Sequence, residues 1–537
     1  MSNLKSQRNS PALRDDIDLT DLSAVETKDA DYLFPARGGE EVDWGLALSG
    51  GGIRAGYFSL GAMKALYDKG LIDKIDVISS VSGGGYASYW LYTDYKKFGA
   101  GGKFGDSAFS DANFIQNICE LQNIKKAGFV PTASLLKIIF NLRGRAFSRY
   151  KSAIEKSFGN LSDEELRENK IDKTPLDFLN NEIKNADVPY FIINTTLRLN
   201  KKEHLNPSLR LFEITPHFRG NPSLRYENWT DGKQLSLSES IAASAAPKWK
   251  IAHPVYNYAA EIFNKNTLYL SDGGHFENLA ALALIRRKVK NIIIVDAEED
   301  ATYEFGAYTT LQKLLRDENI KINLQIPAIE DFLNKYKRCR RKNSKECKQK
   351  NRQYDEKKLY PDSVSIGATT SSQEKNDSEK TEIISRIYYI KMTMPEEIFP
   401  PEVLNRRKKE RKEARENPEY QEWEKYFAQR LADRNKNGCS TKDLNFSADK
   451  TLYTQMYKHR VLTYSELINN PQFGDTPYLW GKMKFFETMS KIDPFFTYKF
   501  PHITTIDQSF LSDQAEAFVG LGYLQTSKMK IVDSEMR

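Results

Sequence analysis

Hydrophobic and polar positions near residue 50 alternate between two kinds of short element. Residues 44–48 form an apolar run typical of a buried strand, and a glycine-rich turn follows them. Apolar side chains in residues 55–69 then recur at the three- and four-residue spacing of a helix. A second β-branched run, residues 75–81, leads through another glycine-rich turn into a helical stretch at 86–92. This strand–turn–helix order predicts a mostly parallel α/β sheet.

The rest of the chain supplies further elements of the same two kinds. Apolar or β-branched runs predict strands at residues 189–199, 267–270, 291–295 and 383–390, and a strand followed by a turn at 211–220. Small or periodically apolar residues predict helices at 238–247, 277–288 and 512–521. The sequence has no visible internal repeat, so a repeat architecture is not predicted.

Two long stretches favour helix without fixing a role. Residues 110–186 include an apolar band at 135–142 that basic side chains flank. The band fits a helix packed on the core, and it also fits an amphipathic lid at a membrane interface. Residues 396–497 are charged and aromatic, which indicates a helical insertion or cap rather than core.

Composition narrows the class of protein. Hydrophobic residues make up 40% and charged residues 28% of the 537-residue chain, which suits a large buried core and excludes wholesale disorder. The formal charge of +7 is concentrated in residues 335–358, where twelve basic and three acidic side chains give a local +9. That segment fits a solvated insertion, an arm for anionic lipid headgroups, or a nucleic-acid contact. Because the rest of the chain is close to neutral, binding of nucleic acid by the whole protein is not expected.

Cysteine and histidine usage argues against a metal centre. The four cysteines, at positions 119, 339, 347 and 439, form no C-x-x-C pair, and the chain has only six histidines. Free thiols suit a reducing cytosol. The first 22 residues lack the apolar core of a secretory signal, and no run of 18 apolar residues occurs. We therefore expect a cytoplasmic protein whose membrane contact, if it has one, is peripheral and on the inner face.

The first candidate for chemistry is the glycine turn after residue 48. Gly50, Gly51 and Gly52 stand between a predicted strand and a predicted helix, where bare backbone N–H groups can bind an anion or a developing oxyanion. Arg54 follows and could anchor a phosphate. A nucleotide-phosphate loop is the alternative, but the turn lacks the P-loop lysine and the G-x-G-x-x-G spacing.

The second candidate is Ser82. It occupies the nucleophile position of a strand-to-helix turn that resembles the G-x-S-x-G elbow, with Ser80 in place of the first glycine. A serine that only caps the start of a helix is the alternative interpretation.

A serine nucleophile needs a base, and carboxylates compete for that role. None of the six histidines stands in a recognisable triad context, and His275 is more typical of a loop. Asp272 ends a predicted strand and precedes two glycines, which let the backbone fold tightly beside a reacting serine. A carboxylate within hydrogen-bond reach can take the serine proton directly. Asp296 is the competing carboxylate, and without following glycines it favours a structural or edge-lining role.

Taken in order, SGGGIRA, SVSGG and SDGG resemble the motifs of patatin-like phospholipases, the family that includes the cytosolic phospholipases A. The small-residue stretch 241–247 and the segments 211–220 and 500–510 are also similar to the family. The resemblance implies a three-layer α/β/α fold with a mostly parallel sheet. It also implies a dyad of Ser82 and Asp272 without histidine, with Gly50, Gly51, Gly52 and Arg54 at the oxyanion hole.

The same resemblance divides the chain and implies a reaction. We expect a polar lead at 1–40, a catalytic core at 41–300, a core continuation with the basic insertion and a charged cap at 301–497, and a C-terminal segment at 498–537 that packs back on the core. The implied activity is hydrolysis of fatty-acyl esters of membrane phospholipids through an acyl-enzyme, with no cofactor, metal or calcium. A non-lipid esterase or thioesterase and a catalytically silent membrane-binding protein are the alternatives.

Overall fold

The computed structural model describes residues 42–110, 146–159, 175–197, 210–245, 258–316, 321–341, 361–394 and 498–531, with short gaps inside several of these ranges, together with residues 114 and 461. The apolar band at 135–142, residues 1–41 and 342–360, and nearly all of 396–497 lie outside the described residues. The cap and most of the basic insertion expected from the sequence therefore also lie outside them.

Strands and helices alternate along the first half of the described chain. The strands are β1 (Trp44–Leu48), β2 (Val77–Val81), β3 (Tyr190–Leu197), β4 (Leu211–Ile214), β5 (Phe218–Asn221), β6 (Arg225–Asn228), β7 (Tyr258–Ile262), β8 (Asn266–Asp272), β9 (Asn291–Asp296), β10 (Ile322–Gln325), β11 (Val364–Ser372), β12 (Thr381–Lys391), β13 (Tyr498–Lys499) and β14 (His502–Ile503). The helices are α1 (Gly52–Asp68), α2 (Gly83–Phe98), α3 (Asp106–Phe109), α4 (Ala146–Phe158), α5 (Asn180–Lys184), α6 (Leu237–Ser244), α7 (Leu282–Arg286), α8 (Gly306–Leu315), α9 (Pro327–Arg341) and α10 (Ser512–Ser527). Two 3₁₀ turns, Ile72–Lys74 and Gly273–His275, complete the set.

Within the described residues, twelve strands join in one sheet whose central part is parallel. Strands β12, β9, β1, β2 and β3 are neighbours in that order, and each adjacent pair runs parallel. Antiparallel strands extend the sheet on both sides, and β8 pairs with the end of β3. This arrangement confirms the predicted α/β class with a mostly parallel central sheet.

The middle of the sheet is buried on both faces, as the sequence pattern indicates. The four apolar residues of β9 from Ile292 to Val295 are fully buried, which is typical of a central parallel strand. Strand β12, predicted from its isoleucines, lies directly beside β9. The region beyond residue 300 therefore contributes three strands to the same sheet, β10 to β12.

Helix α10, near the end of the chain, packs along α1 through close backbone contact. A Cβ added to Gly61 of α1 would lie 2.7 Å from the carbonyl carbon of Val519, so only glycine permits this approach. Phe58 and Phe518 are fully buried nearby. The middle of α1 is thus held against α10.

One predicted helix is much shorter than expected. The sequence predicts helix over residues 277–288, but α7 begins only at Leu282. The Glu277 carboxylate accepts hydrogen bonds from the backbone N–H groups of Leu279 at 2.6 Å and Leu282 at 3.2 Å, and Ala280 is left-handed with a φ of 58°. A side chain that takes these N–H groups competes with the helix for them. The predicted strand and turn at 211–220 similarly resolve into a hairpin of β4 and β5.

Candidate active site

The glycine turn between β1 and α1 has a backbone that only glycine adopts easily. Gly51 has a φ of 144°, and a Cβ at this position would lie 2.7 Å from the carbonyl oxygen of Ala297. Gly52 has a φ of 65° and begins α1, which has no side-chain cap from the residue before it. The turn therefore presents backbone N–H groups at the start of a 17-residue helix.

Ser82 lies at a strained turn between β2 and α2. Its φ of 49° and ψ of −119° are unusual for a residue other than glycine, and such conformations cost about 1–3 kcal/mol. The Ser82 N–H donates to Ser244 Oγ at 2.9 Å, and Ser244 Oγ donates to the Asn194 carbonyl at 2.6 Å. Helix α6 thus braces the turn through Ser244, a residue that sequence analysis placed in a small-residue helix without a role.

Ser80, which replaces the first glycine of the elbow pattern, is accommodated in the core. Its side chain is 2% exposed, and Ser88 Oγ donates to its hydroxyl oxygen at 3.2 Å. Asn194 Nδ2 donates to the Ser80 carbonyl at 2.9 Å. The departure from the pattern therefore leaves the strand-to-helix turn at Ser82 intact.

The serine and the aspartate that the sequence singled out meet in the structure. Ser82 Oγ donates to Asp272 Oδ2 at 2.8 Å, and the other carboxylate oxygen accepts the Gly274 N–H at 2.8 Å. Ser82 is 5% exposed. Burial raises the pKa of Asp272, although His275, the Ser82 hydroxyl and the Gly274 N–H each oppose the shift. A carboxylate with a raised pKa is a stronger base than an ordinary aspartate.

The competing carboxylate, Asp296, has different neighbours. Lys391 Nζ lies 2.8 Å from Asp296 Oδ2, and the Tyr389 hydroxyl donates to the same oxygen at 2.6 Å. Both side chains of the ion pair are essentially buried. Asp296 therefore belongs to a buried ion pair, in line with the structural role that the sequence favours.

The hydrogen bond that the Ser82 hydroxyl donates goes to Asp272 and not to a histidine of the described residues. His275 is exposed three residues after Asp272, and His217 stacks on Tyr190. His502 Nδ1 accepts the Asp300 N–H at 3.1 Å. The base in contact with Ser82 is thus a carboxylate. Among the described residues, no group of three histidine, cysteine or acidic side chains is arranged to hold a metal ion.

The Arg54 side chain binds backbone carbonyls of two segments that are distant in sequence. Its Nε and Nη2 groups donate to the Ala297 carbonyl at 3.3 and 3.2 Å, and Nη1 donates to the Ile503 carbonyl. Nη2 also donates to Thr505 Oγ1 at 3.3 Å. The side chain is 1% exposed. These contacts suggest a different task for Arg54 from the phosphate or oxyanion contact that the resemblance implied.

Asn278 is a residue of the site that sequence analysis missed. Its carbonyl accepts the Gly50 N–H at 2.9 Å. Its side-chain Oδ1 and Ser82 Cβ both lie within contact distance of the point where a Cβ on Gly50 would stand. The same oxygen also stands where a Cβ on Gly274, beside Asp272, would collide with it. A polar residue six positions after the aspartate is the only sequence signal for this contact between the two turns.

Comparison with protein families identifies the domain that holds these turns. Residues 46–285 match the family model described as patatin-like phospholipase. The chain contains a patatin-like phospholipase domain. Both Ser82 and Asp272 lie within the matched residues of this domain.

Solved structures that are similar to this chain share little sequence identity with it. Human GIVD cytosolic phospholipase A2 is 11% identical with a TM-score of 0.44, and the match covers 95% of this chain and 60% of that one. VipD from Legionella pneumophila is 18% identical with a TM-score of 0.23, covering 47% of this chain and 50% of VipD. The ExoU–SpcU complex from Pseudomonas aeruginosa gives 18% identity, a TM-score of 0.20 and 40% coverage of each chain.

This chain thus spans about 60% of the length of human GIVD cytosolic phospholipase A2. A comparison with curated protein sequences gives no significant match. Among the described residues, no helix is both long enough and apolar enough to cross a membrane.

Proposed function

We propose that the protein is a lipid acyl hydrolase of the phospholipase A type that uses Ser82 as nucleophile and Asp272 as base. The observation that carries this proposal is the 2.8 Å hydrogen bond from Ser82 Oγ to Asp272 Oδ2. The bond joins a serine hydroxyl to a proton acceptor beside the glycine turn. The Gly50 N–H is bonded to the Asn278 carbonyl, so Gly51 and Gly52 are the turn residues that would donate to an oxyanion. A nucleophile, a base and an oxyanion site are the parts that acyl transfer needs.

The first half of the reaction forms an acyl-enzyme. Ser82 Oγ attacks the ester carbonyl carbon while its proton moves to Asp272. The carbonyl oxygen becomes an oxyanion that the N–H groups of the glycine turn stabilise. When the tetrahedral intermediate collapses, Asp272 returns the proton to the leaving alcohol and the acyl group stays on Ser82.

The second half releases the fatty acid. Water replaces the alcohol, gives a proton to Asp272 and attacks the acyl carbon. The second tetrahedral intermediate uses the same oxyanion site. Its collapse frees the carboxylic acid, and the proton returns from Asp272 to Ser82 Oγ. One carboxylate therefore acts as base and then as acid in each half, and no cofactor takes part.

The substrate that we propose is a membrane phospholipid reached from the bilayer surface. The family match supports a lipid ester, and the net +9 of residues 335–358 would favour a surface of anionic headgroups. Helix α9 carries the first part of this basic segment to Arg341. Such docking would be peripheral and would weaken as salt screens the charges.

The test is fatty-acid release from vesicles of mixed anionic and zwitterionic phospholipid. Wild type should hydrolyse them, and Ser82→Ala should reduce turnover by roughly four to six orders of magnitude, since the reacting groups act as a unit. Ser79→Ala is the matched control, because Ser79 is a buried serine in β2, the strand that leads to Ser82, and accepts a hydrogen bond from Asn194. We expect it to keep activity within a few-fold.

Each other outcome contradicts a stated part of the proposal. Equal release by wild type and Ser82→Ala would exclude Ser82 as the nucleophile. Hydrolysis of short soluble esters but not of vesicles would favour a non-lipid esterase. Vesicle binding that Ser82→Ala leaves unchanged, with no hydrolysis of either substrate, would favour a silent membrane-binding protein.

A further inference from the structure

An acidic loop after β9 packs directly against the glycine turn. The Ala297 N–H donates to Ser49 Oγ at 2.7 Å, just before the three glycines. The Ala297 carbonyl stands where a Cβ on Gly51 would collide with it. The loop contains four carboxylates, in the order Asp296, Glu298, Glu299 and Asp300. The glycine turn therefore rests on this loop through Ser49 and Gly51.

Two buried cations hold the acidic loop in place. Lys391 Nζ lies 2.8 Å from Asp296 Oδ2 and 3.0 Å from Asp300 Oδ2. Arg54 reaches the loop from α1, with two bonds to the Ala297 carbonyl and a 4.0 Å approach to Glu299. Each cation is 1% exposed. A loop fixed by buried charge pairs is a rigid support, because breaking one pair leaves an uncompensated charge.

Residues 502–505, which are distant in sequence, complete this support. The Thr505 N–H donates to Glu299 Oε2 at 2.9 Å, and Thr505 Oγ1 lies 3.3 Å from the same oxygen. Arg54 donates to Thr505 Oγ1 and to the Ile503 carbonyl. The Asp300 N–H donates to His502 Nδ1. Arg54 thus stands between the glycine turn, the acidic loop and a segment about 450 residues away.

We propose that Glu299, Thr505 and Arg54 form a positioning clamp that fixes the oxyanion turn. The clamp is defined by these three residues, and the idea rests on the proposed function. A turn built from glycines in left-handed geometry has little stiffness of its own. Its N–H groups stabilise an oxyanion only if they are held close to the position the oxygen will occupy. The clamp supplies that constraint through the Ala297 backbone, against which Gly51 packs.

A positioning role for Arg54 differs from the direct contact with a substrate phosphate that the resemblance implied. A guanidinium has five N–H donors, and the contacts to Ala297, Ile503 and Thr505 already occupy most of them in a buried position. The side chain therefore acts through the backbone it holds. It contacts the turn, not the substrate, and is a positioning residue.

Thr505 offers the sharpest test, because its hydroxyl can be removed without changing its shape. Thr505→Val keeps the volume and the backbone N–H but deletes the bonds to Arg54 and Glu299. Thr505→Ser keeps the hydroxyl and serves as the conservative rescue. Glu299→Ala removes the shared acceptor. The matched control is Asp43→Asn. It removes an exposed ion pair with Lys290 that lies just before the first residues of β1 and β9, at the end of these strands remote from the glycine turn.

Two measurements separate positioning from general loosening. The first is kcat and KM for vesicle hydrolysis. We expect Thr505→Val and Glu299→Ala to lower kcat about ten-fold with KM nearly unchanged, since the lost interaction acts in the transition state. The second is hydrogen exchange of the peptide that spans residues 46–57, which should quicken in both variants. Thr505→Ser and Asp43→Asn should match wild type in both measurements.

The outcomes distinguish this inference from the proposed function. Unchanged kcat and unchanged exchange in both clamp variants would overturn the clamp, while loss of activity in Ser82→Ala would still support the hydrolase. A wild type without lipid hydrolysis would overturn the hydrolase, whereas faster exchange at the turn in Thr505→Val would still support the clamp. Equal effects from Asp43→Asn would show that stability alone is responsible and would overturn the clamp.

Discussion

Asp272 and Asp296 each occupy the last position of a strand, yet their surroundings differ in charge. Asp272 binds a hydroxyl and a backbone N–H, both of them neutral donors. Asp296 is paired with the Lys391 ammonium in a cluster that includes two more carboxylates, Asp300 and Glu298. Burial raises the pKa of Asp272. The comparison shows that the charge of the neighbours, rather than the residue type, separates a candidate proton acceptor from a fixed ion pair.

The largest effect that we expect from this difference follows Asp272→Asn. An amide cannot take the serine proton, so turnover on vesicles should fall by about four orders of magnitude or more. Stability should be equal or higher. The folded-state pKa of Asp272 is raised, so its favourable contribution to stability is fully present below the unfolded pKa and is lost as pH rises through the folded pKa. At neutral pH the buried ionised form is therefore a cost that asparagine lacks.

Thermal unfolding at pH 7, measured beside hydrolysis, checks this pair of expectations. Asp296→Asn is the control at the other aspartate, and it should lower the melting temperature while leaving measurable hydrolysis. A fall of several degrees for Asp272→Asn would show that Asp272 is held by favourable contacts after all, and the contrast between the two aspartates would then fail.

Lys391→Met should give the next largest effect, and mainly on stability. The substitution leaves Asp296, Asp300 and Glu298 close together without their shared cation, and breaking a buried ion pair in this way typically costs about 3–5 kcal/mol. Urea unfolding measures the loss. Turnover per folded molecule should fall by about ten-fold at most, because Lys391 contacts neither Ser82 nor Asp272 and acts on the glycine turn only through the acidic loop. A cost below about 1 kcal/mol would mean that the cluster behaves like a surface pair.

Sequence reasoning succeeded where the determinants are local. The strand-to-helix turns at Gly50 and Ser82 follow from glycines beside apolar runs, and the buried strands β9 and β12 follow from isoleucine-rich segments. The pairing of Ser82 with Asp272 also came from sequence, through the order and spacing of family motifs. Parallel strands with short turns leave few alternatives for such segments.

Contacts between distant parts of the chain could not be derived in the same way. Thr505 meets Arg54 across about 450 residues, and Ser244 braces Ser82 across 162. A threonine or a serine in the sequence does not by itself indicate a contact with such a distant residue. The helix predicted from residue 277 was too long because Glu277 turns inward and takes backbone N–H groups, which depends on burial. Burial raises the pKa of Glu277 to about 7, and no sequence pattern indicates that environment.

The smallest effect, and the one that compares the two aspartate regions most directly, is their response to acid. The proposed mechanism needs ionised Asp272 as its base. It therefore predicts that activity declines about ten-fold per pH unit once pH falls through the raised pKa, above the ordinary aspartate value of about 3.9. Burial also acts on Asp300, but Lys391 and two backbone N–H groups lower its pKa overall. Its contribution to stability is present above the unfolded pKa and is lost only as pH falls through the depressed folded value.

As pH falls, hydrolysis should therefore be lost before the ion-pair cluster around Lys391 is disrupted. Glu298, whose pKa is raised to about 7, and Glu299, whose pKa is also raised, become more compatible with burial as they gain protons. The measurement is kcat/KM on a short soluble ester against pH, beside circular dichroism at each pH, so that vesicle charge does not change. We expect a range in which the chain stays folded, activity is lost, and a return to pH 7 restores it. Activity that holds until the fold itself is lost would show that Asp272 is no more basic than an exposed aspartate, and the distinction between the two strand ends would then rest on geometry alone.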